Sequence, residues 1–256
     1  MPTAKADSTT TEITSDIVVG RTRQLKISAV IPVYNEEEVI DEFSARLVDS
    51  LRKLSENYEV IFVVEGNDRT FSKLTQLSNV NPKVRVDYHE KRLGLGKAFK
   101  HGLCLVDKDS DIVLTMDADL NHHPEEIQNL LKASSDSDIV VGCRSRSRGM
   151  VGELPWFKRM VSGGTNWIFR KAFKIPSSDV TSGFRIYSAR AVESVRDELT
   201  SKNFEIAAEL LIRARKKGMT ISEVPITFTP RPRGTSKLSF LRSGIGYAWL
   251  FVRLRF

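Results

Sequence analysis

Cysteine is almost missing: Cys104 and Cys143 are the two in 256 residues. They stand far apart without C-x-x-C spacing, which argues against a disulfide framework or a cysteine-based zinc site and fits a reducing interior. Long apolar runs are missing too, since nothing approaches the roughly 18–20 residues that a membrane span requires. The opening "MPTAKADSTTTEITSD" lacks the apolar core of a signal peptide, so residues 1–24 read as a disordered lead-in. Acid is in deficit, with 39 Lys and Arg against 32 Asp and Glu and a net charge of +7. That balance suits anionic partners, whether phosphates, nucleic acid or an acidic membrane surface. The expectation is a soluble or peripheral intracellular protein. Its 41% hydrophobic and 28% charged residues supply an ordinary core, in one large α/β domain or two small ones.

From residue 26 onward strand and helix patterns alternate. "KISAVIPV", "YEVIFVV", "KVRVDYH", "DIVLTM" and "SDIVVG" are short apolar runs. Between them, "EEEVIDEFSARLVDSLRKL" spaces Val39, Ile40, Phe43, Leu47, Leu51 and Leu54 as one helical face. Helices are also expected near 69–78, over "GLGKAFKHGLCLV" and from Pro124, with Glu125 and Glu126 favoured by the helix dipole. Continuous apolar strands separated by helices imply a mostly parallel, Rossmann-like α/β sheet covered on both faces. After residue 143 the chain becomes more basic, with an amphipathic stretch over 155–173. A strand at "GFRIY", a helix over 203–217, a strand in "MTISEVPITF" and a helical tail complete the pattern. No repeat or linker follows residue 24. One domain over 25–256 is expected, its part from about 144 wrapped on the sheet.

In an open α/β sheet, ligands lie at the carboxyl ends of the strands. "YNE" at 34–36, "EGND" at 65–68, "DADLN" at 117–121 and Arg144 all fall at such ends. Asp117 and Asp119, after a buried strand, offer oxygen ligands to Mg²⁺ or Mn²⁺, whereas the bland alternative is a solvated turn. His122 and His123 have no third ligand nearby and suit hydrogen bonding or packing. "GLGK" at 94–97 fails as a P-loop, because Lys91 occupies the required glycine position and Ala98 follows the lysine. It fails as G-x-G-x-x-G at Phe99, leaving a tight turn into a helix with Arg92 and Lys97 near it. The basic loop "TPRPRGTSKL" is open to three readings: a solvated loop, a nucleic-acid patch, or a hinged clamp on a diphosphate. Trp156, Phe157, Trp167, Phe169 and Phe173, interleaved with Lys158, Arg159, Arg170 and Lys171, suit a membrane interface and a core equally.

"VIPVYNEE", "KRLGLGKAFKHG", "MDADLNHHPEEI", "DVTSGFRIYSARAV", "RARKKGMTISEVPITF" and "RGTSKL" together resemble the family 2 glycosyltransferases of the GT-A fold, and among them the dolichol-phosphate mannose synthases. "MDADLNHHP" and "EVPITF…RGTSKL" are the specific segments. The resemblance implies that Pro32, Tyr34 and Glu36 line a nucleotide, with Asp117, Ala118 and Asp119 at ribose and diphosphate. It implies Asp119 and Asn121 as metal ligands beside Asp117, and Arg144 on the sugar phosphates. Arg231 and Lys237 would clamp the diphosphate. Arg146, Thr181, Ser182 and Arg185 would face the acceptor. Two departures stand out. Glu65 in "VVEGNDRT" takes the place of a base-contacting aspartate, which leaves GDP and UDP both open. Arg233 replaces an aromatic of the basic loop.

The reaction so implied moves mannose from GDP-mannose to dolichyl or another polyprenyl phosphate with inversion, giving a β-linked lipid-phosphate sugar. Asp119 and Arg144 would carry catalysis, with Mg²⁺ or Mn²⁺ as cofactor. A UDP-glucose or UDP-N-acetylglucosamine donor is the near alternative. A nucleic-acid-binding protein is the alternative of another class, and the transferase reading expects no nucleic-acid partner. The lipid acceptor places the chain peripherally on the cytosolic face of a plasma or ER membrane, docked directly or through a membrane partner subunit.

Overall fold

The computed structural model describes residues 24–144, 156–229 and 240–256, with backbone alone for 156–162 and 240–243. Among the described residues, the apolar runs become strands β1 (Ile27–Tyr34), β2 (Tyr58–Glu65), β3 (Val84–His89), β4 (Ile112–Thr115), β5 (Ile139–Cys143), β6 (Arg185–Ser188) and β7 (Ile221–Pro225). They form one sheet in the order β3-β2-β1-β4-β6-β5-β7. Neighbours are parallel except at β6, which runs antiparallel to both β4 and β5.

The helices are α1 (Ile40–Leu54), α2 (Thr70–Val80), α3 (Leu95–Leu105), α4 (Ile127–Ala133), α5 (Trp156–Phe173), α6 (Ala189–Val195), α7 (Ile206–Lys216) and α8 (Phe240–Arg255). Helix α1 forms because Ile40, Phe43, Leu47 and Leu51 recur at helical spacing and are fully buried. Each such burial stabilises by about 1.5–3 kcal/mol. Asp41 and Glu42 in its first turn and Arg52 and Lys53 in its last complement the helix dipole. Pro124 opens a 3-10 turn, Pro124–Glu126, rather than α4 itself. The helix expected over 203–217 begins only at Ile206, so Phe204 lies before it.

Strand pleating divides the core into two layers. Ile27, Ala29, Ile31 and Val33 of β1 pack with α1 and α4, while Val30 faces Ala98, Phe99 and Leu103 of α3. Helices α5 and α8 close this second layer through a cluster of rings. Phe169 sits 5.8 Å from Tyr247 and 5.7 Å from Phe251, and Phe173 sits 5.6 Å from Phe251. Phe169 and Phe173 are therefore core, whereas Trp167 is exposed. Trp156 and Phe157 have their side chains outside the described residues.

The sheet order reverses between β1 and β4, the topological switch where open α/β sheets bind ligands. Strand β4 pairs with Ile27–Val30 and ends at Thr115, so β1 runs on past it. Pro32 falls in that overhang, where a residue with no N–H is tolerated. A crevice between the carboxyl ends of β1 and β4 follows directly. Because β6 is antiparallel, the segment entering it, "TSGF" at 181–184, arrives at the same edge.

Candidate functional site

Three segments leave this edge through left-handed backbone: Asn35 after β1 (φ 51°), Gly66 after β2 (φ 110°) and Leu120 after β4 (φ 61°). The first two interlock, since Asn35 Oδ1 accepts the Asn67 N–H at 3.0 Å. A Cβ on Gly66 would lie 1.8 Å from that same oxygen, so glycine is required by contact as well as by φ. Leu120 is a γ-branched, buried residue in a conformation that costs about 1–3 kcal/mol, and such strain concentrates at functional sites.

The strain at Leu120 shapes the D-x-D-x-N turn. Asp119, buried, accepts the Asn121 backbone N–H on Oδ1 and the Asn121 Nδ2 on Oδ2, both at 3.0 Å. The Asn121 amide is thereby turned so that its Oδ1 is buried without a hydrogen-bond partner. An orphaned buried acceptor costs about 1–3 kcal/mol and asks for a ligand. The oxygens of Asp119 and Asn121 make a hard donor set that fits Mg²⁺ or Mn²⁺. Asp117, half exposed, borders the same crevice. A Cβ on Gly183 would lie 3.3 Å from Asp117 Oδ2, and Thr115 Oγ1 donates to the Gly183 carbonyl at 2.8 Å. The "TSGF" segment thus walls the aspartates.

Arg144 follows β5 and is gripped by Asp179. Its Nε donates to Oδ2 and its terminal NH2 to Oδ1, both at 2.8 Å, and the same NH2 reaches Thr181 Oγ1 at 2.8 Å. The guanidinium lies over the Phe228 ring at 5.6 Å. Burial raises the Asp179 carboxyl, but the adjoining Arg144 charge and hydrogen bonds outweigh it and hold the pKa at about 2. Arg144 is pushed up correspondingly by Asp179. His122 is fully buried between Phe184 and Phe228, and desolvation lowers its pKa to about 3, keeping it neutral. Its ring packs there with Nε2 3.9 Å from Asp117 Oδ2. His123 meets Arg46 and Thr229.

Other sequence-expected residues are located with mixed results. Tyr34 lies on the crevice edge with the Arg92 guanidinium 4.1 Å above its ring. The Glu36 N–H donates to Thr70 Oγ1 at 2.9 Å, tying the β1 exit to α2. Ala118 is buried beside Asp117. Glu65 is buried and accepts the Leu93 and Gly94 N–H groups at 3.1 Å, so "GLGK" is anchored through its backbone. Ser182 is buried with its hydroxyl unpartnered, and Thr181 stands between Arg144 and Asp179. Arg185 differs from expectation: it is completely buried, donating to the Val180 carbonyl at 2.7 Å and to the Ala207 carbonyl. An acceptor cannot reach it there, and its part is to hold the 180–185 bend. Arg146, Arg231, Arg233 and Lys237 lie outside the described residues.

Three partners escaped the sequence reading. Asp179 opens the segment "DVTSGFRIYSARAV", but nothing in that segment signalled its pairing with Arg144. Glu126, expected to serve the helix dipole, instead accepts the Thr227 N–H at 2.9 Å, and the Thr229 N–H donates to the Asn121 carbonyl at 3.1 Å. These bonds lead the chain after β7 across the Asp119–Asn121 turn. Tyr247 of α8 donates to the Phe204 carbonyl at 3.3 Å, and burial raises its pKa.

The crossover sheet, the β1/β4 crevice and its acidic turn define a nucleotide-sugar transferase architecture of the GT-A type. The family model described as "Glycosyl transferase family 2" matches residues 28–196, and the chain belongs to that family. Among curated proteins it is 38% identical over 218 residues to "Dolichol-phosphate mannosyltransferase" of Pyrococcus furiosus, covering 84% of this chain and 59% of that one. It is 29% identical over 218 residues to "Undecaprenyl-phosphate mannosyltransferase" of Micrococcus luteus, covering 84% and 88%. The chain thus spans a little under three fifths of the Pyrococcus protein's length. Among solved structures, glucosyl-3-phosphoglycerate synthase from Mycobacterium tuberculosis, in complex with Mn²⁺, UDP and phosphoglyceric acid, superposes with a TM-score of 0.68. That match has 19% identity and covers 98% of this chain and 84% of the other. The likeness is one of fold.

Proposed function

We propose that this protein transfers mannose from GDP-mannose to a polyprenyl phosphate of the dolichyl type, with inversion and with Mg²⁺ or Mn²⁺ as cofactor. The observation that carries this reading is the Asp119–Asn121 turn, whose buried Oδ1 is left without a partner beside Asp117 at the sheet's switch point. The names of the two curated relatives support the sugar and the class of acceptor.

Asp119 and Asn121 would hold the ion, with Asp117 contributing. A bound divalent cation supplies Lewis-acid stabilisation of the departing nucleoside diphosphate. Pro32, Tyr34 and Glu36 would border the nucleotide, and Arg231 and Lys237, which lie outside the described residues, are assigned to the diphosphate from the sequence resemblance alone. Asp179 fixes the Arg144 fork, so its charge meets a phosphate without first being ordered. Deprotonating a sugar hydroxyl would call for a general base, but a phosphate monoester, with its second pKa near 6, is already anionic at neutral pH. Positioning by Arg144, Arg146 and Thr181 then replaces base catalysis. In-line attack on the anomeric carbon opposite the leaving diphosphate converts an α-linked donor into a β-linked product.

The acceptor tail requires a route to the bilayer. Among the described residues no helix is long and apolar enough to cross a membrane. Helix α8 instead has two apolar faces: Tyr247, Leu250, Phe251 and Leu254 turn inward, while Ile245, Trp249, Val252 and Phe256 are exposed along the other side. Trp167 and Ile168 of α5 are exposed as well, with Arg170, Lys171, Arg253 and Arg255 near these helix ends. Exposed aromatic side chains with basic residues at the helix ends suit the headgroup region. Mannose transfer from GDP-mannose to dolichyl phosphate, compared with UDP-glucose and UDP-N-acetylglucosamine, tests the reading. Strong transfer from a UDP-sugar with none from GDP-mannose contradicts it.

A further inference from the structure

A second cluster of ligand atoms lies away from the crevice, on the face of edge strand β3 that meets α3. Arg85, Asp87 and His89 alternate onto this face by strand period. Helix α3 supplies His101. Both imidazoles aim Nε2 at one oxygen, Asp87 Oδ2, from 2.6 Å for His89 and 2.9 Å for His101. The rings meet edge to face with centroids 4.9 Å apart. One ligand atom from each of the three residues lies within 4.8 Å of the others. Arg85, on the same strand face, is engaged by Glu59 at 3.2 Å and Asp107 at 3.7 Å.

We propose that Asp87, His89 and His101 form a binding site for a borderline transition-metal cation, Zn²⁺ first, distinct from the Asp119–Asn121 site. Two imidazoles and one carboxylate are the donor set such ions prefer, whereas Mg²⁺ prefers oxygen alone. In the metal-free arrangement each Nε2 shares a hydrogen bond with Asp87 Oδ2. Binding requires each ring to present its Nε2 lone pair to the ion, with Nδ1 carrying the proton. Tetrahedral ligands around a zinc ion with bonds of about 2.0–2.2 Å stand roughly 3.3–3.6 Å apart, so the 2.6 and 2.9 Å Nε2–Oδ2 contacts open by about 0.4–1 Å on binding, within reach of side-chain rotation. Three protein ligands leave a further position for water.

The site has a structural consequence. His89 is in register with Glu65, which holds the Leu93 and Gly94 amides where the chain turns into α3. A metal joining β3 to His101 closes the same turn from its other side. Zinc therefore stiffens the wall of the crevice next to β2 without touching the residues assigned to the diphosphate.

Co²⁺ serves as a spectroscopic stand-in for Zn²⁺ on the full-length protein, with excess Mg²⁺ present to occupy the oxygen site. The expected result is a visible d–d absorption of a nitrogen- and oxygen-ligated ion, saturating at one equivalent and removed by Zn²⁺. Zn²⁺ should also raise the melting temperature of the wild type. His101→Gln, on a half-exposed helix face, should keep the fold and weaken Co²⁺ uptake by about 100-fold, with no zinc-induced melting shift. Asp87→Asn and His89→Gln should do the same. Absence of the absorption in wild type overturns the proposal. So does uptake that survives His101→Gln but is lost in His123→Gln, which would assign the ion to the other histidine pair.

Discussion

Arg144 and Asp179 form a bidentate ion pair, with both guanidinium–carboxylate contacts at 2.8 Å and the Asp179 side chain almost wholly buried. The pair joins the end of β5 to the segment that enters antiparallel β6, so it fixes one wall of the crevice. Removing Asp179 leaves an arginine charge without compensation in a mostly dry place. Asp179→Ala should lower stability by about 2–3 kcal/mol in urea unfolding, below the range for fully buried pairs because Arg144 is part-exposed.

The same pair carries a pH signature. The Asp179 pKa is lowered in the folded state, from an ordinary 3.8 to about 2. Its stabilisation is therefore complete above about pH 3.8 and is lost as pH falls through about 2. The stability difference between wild type and Asp179→Asn should narrow across that acidic window and stay constant from pH 5 to 8. A difference that changes near neutrality would assign the linkage to other groups.

Gly66 offers a test of the interlock at the strand ends. In Gly66→Ala the new methyl strikes Asn35 Oδ1 and the residue must hold a φ of 110°. The expected loss is about 1–3 kcal/mol of stability. Asn35→Ala combined with Gly66→Ala should recover the part due to the clash and leave the part due to φ, as a double-mutant cycle would measure.

The exposed apolar side of α8 makes a separable prediction. Trp249 is 71% exposed, so Trp249→Ser should alter stability by no more than about 0.5 kcal/mol. It should nonetheless reduce cosedimentation with anionic liposomes several-fold, and further when combined with Trp167→Ser. Unchanged sedimentation of the double variant, with wild type bound, would move the contact elsewhere. No sedimentation of wild type would favour a membrane partner subunit.

Much of this architecture was legible because continuous apolar runs mark buried parallel strands whatever their tertiary order. The strand ends then named the crevice, and "DADLN" its acidic turn. The direction of β6 was not legible: "RIYS" is too short to report whether it runs with its neighbours or against them, and that direction brings Asp179 and Gly183 to the site. Asp179 and Arg144 meet across 35 residues with no local pattern linking them. Arg185 misled for a related reason, since a motif shows residue type and cannot show that backbone carbonyls inside the core take up the guanidinium. For Trp167 and Phe169 sequence spacing left core and surface equal, and the ring cluster with α8 separated them.

The most direct test is the initial rate of mannose transfer from GDP-mannose to dolichyl phosphate by wild type, Asn121→Ala and Asp119→Ala, each titrated with Mn²⁺ and Mg²⁺. Wild type should require the metal. Asn121→Ala should need more of it for half-maximal rate, and Asp119→Ala should lose about 10²–10³-fold or more in kcat. Metal-independent transfer, or an Asp119→Ala protein that retains wild-type turnover, would contradict the assignment of the Asp119–Asn121 turn as the metal-diphosphate site.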